Sequence, residues 1–168
     1  NYLDLVERVR AAIPTIDLST DIIVGFPGET EEDFQETLSL VKQVGYSSMF
    51  SFKYSERPAT LASRRIPETV SESEKTQRIV ELQLVQRQIQ LDLNRQSIGT
   101  TASVLADSTS RRHDGELSGR TGGNLVVNFP GDPLWVGRLV NVIIRKAGPH
   151  SVWGESVTLG EAGQINAN

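Results

Sequence analysis

The residues whose types and spacing could do chemistry fall in two turn-bearing stretches of the first third and among the arginines of the last. In TDIIVGFPGET, residues 20–30, an apolar run enters a turn made of Gly25, Phe26, Pro27, Gly28 and Glu29. Ligands of parallel α/β folds bind beyond the carboxyl ends of the strands, and glycines there let the backbone come close to a ligand. The turn is no phosphate cradle: a P-loop would end in Gly-Lys-Ser or Gly-Lys-Thr, whereas Glu29, Glu31, Glu32 and Asp33 crowd this helix start with negative charge. The same residues also suit a plain strand-to-helix connection. In FKYSERPAT, residues 52–60, Tyr54, Ser55 and Arg57 could face that rim, with Arg57 offering a fork to a carboxylate or phosphate. Taken alone, Arg57 reads first as a solvated surface arginine.

The third group is basic: Arg111, Arg112, Arg120, Arg138, Arg145 and Lys146. Six acidic residues balance these six cations in residues 99–168, while residues 1–98 carry 11 cations against 15 anions. The asymmetry points to the C-terminal part as the side facing nucleic acid, although a charge-balanced solvated surface fits the count nearly as well. Phe129, Trp135 and Trp153 could stack on bases, but in a small barrel such aromatics more often fill the core. Neither His113 nor His150 sits in a motif, and neither receives a catalytic role.

Composition narrows the chemistry further. The chain has 168 residues, a formal charge of −4 and no cysteine. Disulfide scaffolds, cysteine nucleophiles, zinc ribbons and cysteine-held iron–sulfur clusters all need a sulfur that is absent. The longest apolar runs, such as those at 22–24 and 142–144, fall far below the ~20 residues of a membrane helix, and no signal-peptide pattern opens the chain. A soluble, cytoplasmic, monomeric protein with no membrane partner is expected.

The elements that must position these residues follow from periodicity. Leu3, Leu5, Val6, Val9 and Ile13 form a helical stripe that Pro14 closes. Leu18 to Val24 reads as a parallel strand covered on both faces. Thr30 caps a helix with Asp33 three residues on, Phe34, Leu38 and Val41 line its apolar face, and Gly45 ends it. Tyr46 to Tyr54 is a second strand. Two strands are too little sheet to stand alone comfortably, so the chain reads as truncated at its N-terminus. After an irregular stretch, Ser71 and Glu74 open a long helix reaching about Gln96, with an exposed side rich in Gln, Arg and Glu. From Gly99 the period changes: Thr100–Ala106, Glu116–Arg120, Leu125–Phe129, Arg138–Ile144 and Ser151–Val157 read as five antiparallel strands, favouring a small closed barrel of the oligonucleotide-binding type. The tail from Gly160 is expected to fray.

Together, LSTDIIVGFPGETEEDFQETL, FSFKYSERPATLA, the capped helix with Arg78 and Leu82, GRTGGNLVVNFPG and the closing Gly154 and Glu155 resemble the radical S-adenosylmethionine tRNA methylthiotransferases, over about residues 1–158. The type acting on N(6)-dimethylallyladenosine matches best. The resemblance implies the C-terminal portion of a radical SAM (partial TIM-type) α/β barrel at 1–68, a connecting helix at 69–98, a small five-stranded OB-like TRAM β-barrel at 99–160, and a flexible tail at 161–168. It implies a parent enzyme that uses S-adenosylmethionine and two [4Fe–4S] clusters to add a methylthio group to C2 of the modified adenosine at tRNA position 37. Carried over by motif, Gly25, Phe26, Pro27, Gly28, Glu29, Tyr54, Ser55 and Arg57 would face the cofactor. Arg111, Arg112, Arg120, Arg138, Arg145 and Lys146 would grip the tRNA anticodon stem-loop. The sequence departs from the family pattern at Ala59, where glycine is usual, and holds none of the cluster cysteines. The reading is therefore a fragment, inactive alone, whose partner is the missing N-terminal part of the same enzyme. The alternatives are a standalone RNA-binding module, a methylthiotransferase acting on threonylcarbamoyladenosine or a ribosomal protein, and an unrelated α/β metabolic enzyme.

Overall fold

The computed structural model describes residues 1–57, 69–110 and 113–157, and divides into two units at Gln90/Leu91. The stretch 58–68, the Arg111–Arg112 pair and the tail from 158 therefore lie outside the described residues.

In the first unit, α1 (Tyr2–Ala12) is followed by β1 (Ser19–Val24), α2 (Glu31–Val44), β2 (Ser48–Lys53) and the start of α3 (Glu72–Gln96). The caps foreseen from sequence are present. Thr30 Oγ1 accepts from the Asp33 N–H at 3.2 Å while Asp33 Oδ2 accepts from the Thr30 N–H at 2.9 Å, and Gly45 ends α2 at φ 60°. Ser71 and Glu74 make the same reciprocal pair before α3, at 2.9 and 3.2 Å. Asp33 and Glu74 are both held below the usual carboxylate range, each chiefly by hydrogen bonds from its capping partner.

β1 and β2 pair in parallel, from Ser19 opposite Ser48 to Val24 opposite Lys53. Val24 packs with Val6, Phe34, Leu38, Val41, Val44, Tyr46 and Leu82, with Ile22 and Met49 against them. All three helices thus cover the one sheet face that carries Ile22, Val24 and Met49. The other face is open, with Ile23 55%, Phe50 66% and Phe52 52% exposed. This corrects the expectation of a strand covered on both faces. The apolar run Ile22–Val24 does carry apolar residues to both sides, but these elements shield one only.

In the second unit, β3 (Thr101–Thr109), β4 (Glu116–Arg120), β5 (Val126–Pro130), β6 (Leu139–Ala147) and β7 (Val152–Ser156) close a barrel in the order β3-β4-β5-β7-β6, with a 3₁₀ turn at Pro133–Trp135. The pairings are antiparallel except β5 with β7, which is parallel. An all-antiparallel reading was therefore too simple. β5 connects onward to β6, so β7, the last strand, must fill the gap between them, and that sets it alongside β5 in the same direction. Val104, Ala106, Leu117, Val127, Phe129, Val142, Ile144 and Val152 form the interior. Gly119 and Gly154 permit close strand approach, since a Cβ would lie 2.3 Å from the Leu105 carbonyl oxygen or 2.4 Å from that of Ile143.

Candidate functional site

Two surfaces carry the sequence-predicted residues, one in each unit. In the first, Gly25–Glu29 turn the chain from β1 into α2. Gly25 (φ 72°) and Gly28 (φ 88°) both take left-handed conformations that glycine adopts without strain. The turn is gripped by α3. Glu29 accepts the Gly25 N–H at 2.9 Å through one carboxylate oxygen and Arg78 Nη1 at 2.8 Å through the other. Arg78 also donates to the Glu29 carbonyl at 3.2 Å. The Lys75 side chain, 1% exposed, lies so close over Gly25 that a Cβ there would meet its Cγ at 2.4 Å. The Gly28 N–H donates to Thr69 Oγ1 at 2.8 Å. Pro27 is buried, so of the five turn residues only Phe26 presents an exposed side chain.

Phe26 meets Tyr54 edge to face, ring centroids 5.1 Å apart. Tyr54 stands directly after β2, its N–H donating to the Val24 carbonyl at 2.8 Å. Lys75 Nζ lies 5.6 Å from the Tyr54 ring centroid and 3.0 Å from Glu72 Oε1. Ser55 and Arg57 follow, both exposed. The structure thus brings Phe26 and Tyr54 together at the strand ends and turns Glu29 inward as a brace. Lys75 and Arg78 belong to this machinery through their contacts, and only Arg78 had stood out in the sequence. The signal for Lys75 was its spacing of three and seven residues from Arg78 and Leu82, which places all three on one helical face.

In the second unit, cross-strand register aligns four outward-facing residues from four strands. Ser118 stands opposite Asn128, Asn128 opposite Trp153, and Trp153 opposite Lys146. A register shift between Ile144 and Lys146 leaves both Arg145 and Lys146 on the surface. Trp153 is half-buried, its Nε1 donating to Glu116 Oε1 at 2.8 Å and Lys146 Nζ lying 5.2 Å from its ring centroid. It lies on the outside of the barrel, against the expectation of a core aromatic, while Phe129 is interior and Trp135 packs at the core edge. A cleft of ≈ 490 Å³ lies beside this row, between the end of β3 with Ser110 after it, Ser118, Arg120, Asn128 and the residues at 150–151. In OB-type barrels the face of the second and third strands, with the loops flanking it, holds oligonucleotides. β4 and β5 are those strands.

Residues 95–157 match the family model described as the TRAM domain. The barrel is a TRAM domain. Over nearly its whole length the chain is also similar to proteins named tRNA-2-methylthio-N(6)-dimethylallyladenosine synthase. The identity is 46% with that of Magnetococcus marinus (93% of this chain, 36% of the relative), 48% with that of Geotalea uraniireducens (92% and 34%) and 47% with that of Halorhodospira halophila (94% and 33%). These matches bear out the methylthiotransferase resemblance carried by the motifs. The chain spans about a third of the length of the curated relatives it matches.

Within the TRAM barrel, three of the four described cations anticipated as RNA contacts have a partner within the barrel. Arg120 is tied by Nη1 to Asn124 Oδ1 at 2.8 Å, and its Nε lies 3.9 Å from Asp107. Asn124 takes φ 65°, a left-handed conformation that asparagine tolerates better than most residues. Arg145 pairs with Glu155 at 2.9 Å. Arg138 is exposed just before β6, and Lys146 lies over Trp153. Ser118 and Asn128, two of the uncharged polar residues of the cleft, carry no charge to mark them in the sequence. The alternation Val152 in, Trp153 out, Gly154 in would have found the outward row.

Among the described residues no cluster of three or more His, Asp or Glu could hold a metal, and the chain has no cysteine. This donor set does not fit an iron–sulfur cluster. Among the described residues no helix is long and apolar enough to cross a membrane.

Proposed function

We propose that this chain is part of a cytoplasmic tRNA methylthiotransferase acting on N(6)-dimethylallyladenosine at position 37, with the TRAM barrel holding the anticodon stem-loop. The observation that carries the reading is identity of 46–48% to three synthases of that name over 92–94% of the chain, together with a closed barrel that matches the TRAM model. In this reading the α/β unit is a piece of the parent's radical SAM barrel, and its open sheet face and strand-end turn look towards the cofactor. The Phe26–Tyr54 pair, with Phe26 exposed and Tyr54 half-buried, suits the adenine of S-adenosylmethionine, and Arg57 suits its carboxylate. When bound in the parent, that cofactor supplies the radical and the methyl group. This chain's residues bind and orient it, and the parent's remaining two-thirds supply the ligands of both [4Fe–4S] clusters. The chain alone, a monomer, transfers no methylthio group.

The test is binding of an anticodon stem-loop by the purified chain across a salt series. Affinity should fall by about 0.7 to 0.9 log units per log unit of salt for each phosphate contact. The charge-removing variants Arg138→Ala, Arg145→Ala and Lys146→Ala should each flatten that slope. No binding at low salt, or a slope that none of the three changes, overturns the reading of the barrel as the RNA-holding part.

A further inference from the structure

The cleft beside β4 and β5 differs from the cationic surface invoked above. Its lining is dominated by uncharged hydrogen-bonding groups, among them Ser108, Thr109, Ser118, Asn128 and Ser151. Its two charged members, Asp107 and Arg120, lie 3.9 Å apart and offset each other. Among the described residues, the Asn128 amide and the Ser118 hydroxyl make no hydrogen bond, although both residues are half-buried and stand side by side in the register. A half-buried amide offers two donors and an acceptor in one plane, which suits the edge of a base better than it suits a phosphate. The volume of ≈ 490 Å³ accommodates one unstacked nucleotide. Double-stranded RNA keeps its major-groove edges out of reach and is read in its shallow minor groove mostly by shape and 2′-hydroxyls, so a reader of this kind needs a loop nucleotide turned out of the stack.

We propose that this cleft is a base-reading subsite for one splayed-out nucleotide of single-stranded RNA. Asn128 and Ser118 read the base edge, and Arg120, pre-oriented by Asn124, contacts the adjoining phosphate. The proposal rests on the barrel being an RNA-holding module and deepens it by dividing the work: the surface cations give affinity, and the neutral cleft gives sequence preference. Trp153, the register neighbour of Asn128, flanks the subsite and reports on its occupancy.

The experiment uses the full chain carrying Trp135→Phe, so that Trp153 is the single tryptophan, with a stem-loop RNA, a fully paired duplex of the same stem, and stem-loops differing at each loop base. The unaltered cleft should bind the stem-loop more tightly than the duplex, prefer one base at one loop position, and change Trp153 emission on binding. Asn128→Ala should weaken stem-loop binding about tenfold and abolish that base preference while leaving the salt slope unchanged. Asn128→Asp, nearly isosteric, should change which base is preferred. Tryptophan emission of the free variants, matching that of the parent, shows the barrel intact. Normal stem-loop binding with no base preference, or an Asn128→Ala variant that retains the preference, overturns the subsite and leaves the barrel's general RNA binding standing. Failure of the unaltered chain to bind any stem-loop overturns both.

Discussion

The brace between α3 and the strand-end turn can be tested quantitatively because Arg78 and Glu29 are nearly enclosed, their side chains 8% and 14% exposed. Removing one partner of a buried ion pair costs about 3–5 kcal/mol, since the other charge is left without compensation. The slight exposure of Glu29 lets water recover part of that loss, so Arg78→Met is expected at the lower end, about 3 kcal/mol. Glu29→Gln tests the geometry. A carboxylate serves both the Gly25 N–H and Arg78 with its two oxygens. Glutamine has one oxygen and no charge, so either the Gly25 N–H loses its acceptor or Arg78 is left with only the Glu29 carbonyl at 3.2 Å and Glu31 at 3.6 Å, at about 2 kcal/mol. In the double variant the single oxygen can stay on Gly25, and the total should fall short of the sum by about 1.5 kcal/mol. The chain supplies its own probes. Both tryptophans, Trp135 and Trp153, lie in the barrel, whereas helix signal in circular dichroism comes mainly from the first unit. With a urea slope of about 2 kcal/mol/M, Arg78→Met should lower the helix midpoint by about 1.5 M. A helix midpoint that moves by less than about 0.3 M in both single variants would refute the brace.

Gly25→Ala combines a left-handed φ of 72° with a Cβ 2.4 Å from Lys75 Cγ, whereas Gly28→Ala at φ 88° meets nothing within 4 Å. The first should destabilise the helix transition by about 2–3 kcal/mol and the second by about 1, and equal losses would dismiss the Lys75 contact. Gly154→Ala drives a Cβ against the Ile143 carbonyl oxygen and should lower the tryptophan-detected urea midpoint by about 1 M, while Gly122→Ala, with open space around it, leaves that midpoint in place. Burial, then the 2.7 Å hydrogen bond with Tyr2, pushes the Tyr46 phenol up to about 12. Folding therefore favours the neutral phenol. That contribution is complete below pH ~10 and is lost as pH rises towards ~12. Ultraviolet titration should show one of the three tyrosines ionising last, and Tyr2→Phe should bring it down.

Much of the fold was legible because its signals are local. Thr30 with Asp33, Gly45, and Ser71 with Glu74 mark helix ends through bonds spanning a few residues, and all are found where the spacing puts them. Glu116–Arg120 was placed to the residue, since turns bound that strand closely on both sides. What was missed depends on partners distant in sequence. A run such as Ile22–Val24 states that both sides are apolar and says nothing of which side is covered. Strand direction between β5 and β7 is fixed by barrel closure, a property of five strands together.

The candidate sites divide in the same way. Charge is visible in a sequence, so the arginines drew attention, yet Arg120 and Arg145 are paired on the surface, where an exposed pair contributes at most about 1 kcal/mol and is readily exchanged for a phosphate. Shape and hydrogen-bond satisfaction are not visible. Asn128 is one asparagine among several until four strands set it in a row with Ser118, Trp153 and Lys146 beside a cleft. Glu29 is its counterpart at the other site. It looked like a residue facing a ligand, but the fold directs its carboxylate inward, and the exposed Phe26 beside it is left to meet whatever approaches the strand ends. In both units, then, the charged residues nearest the site serve first to fix the backbone. On the proposed reading, the surface they hold in place, aromatic at the turn and neutral polar at the cleft, is what would distinguish one ligand from another.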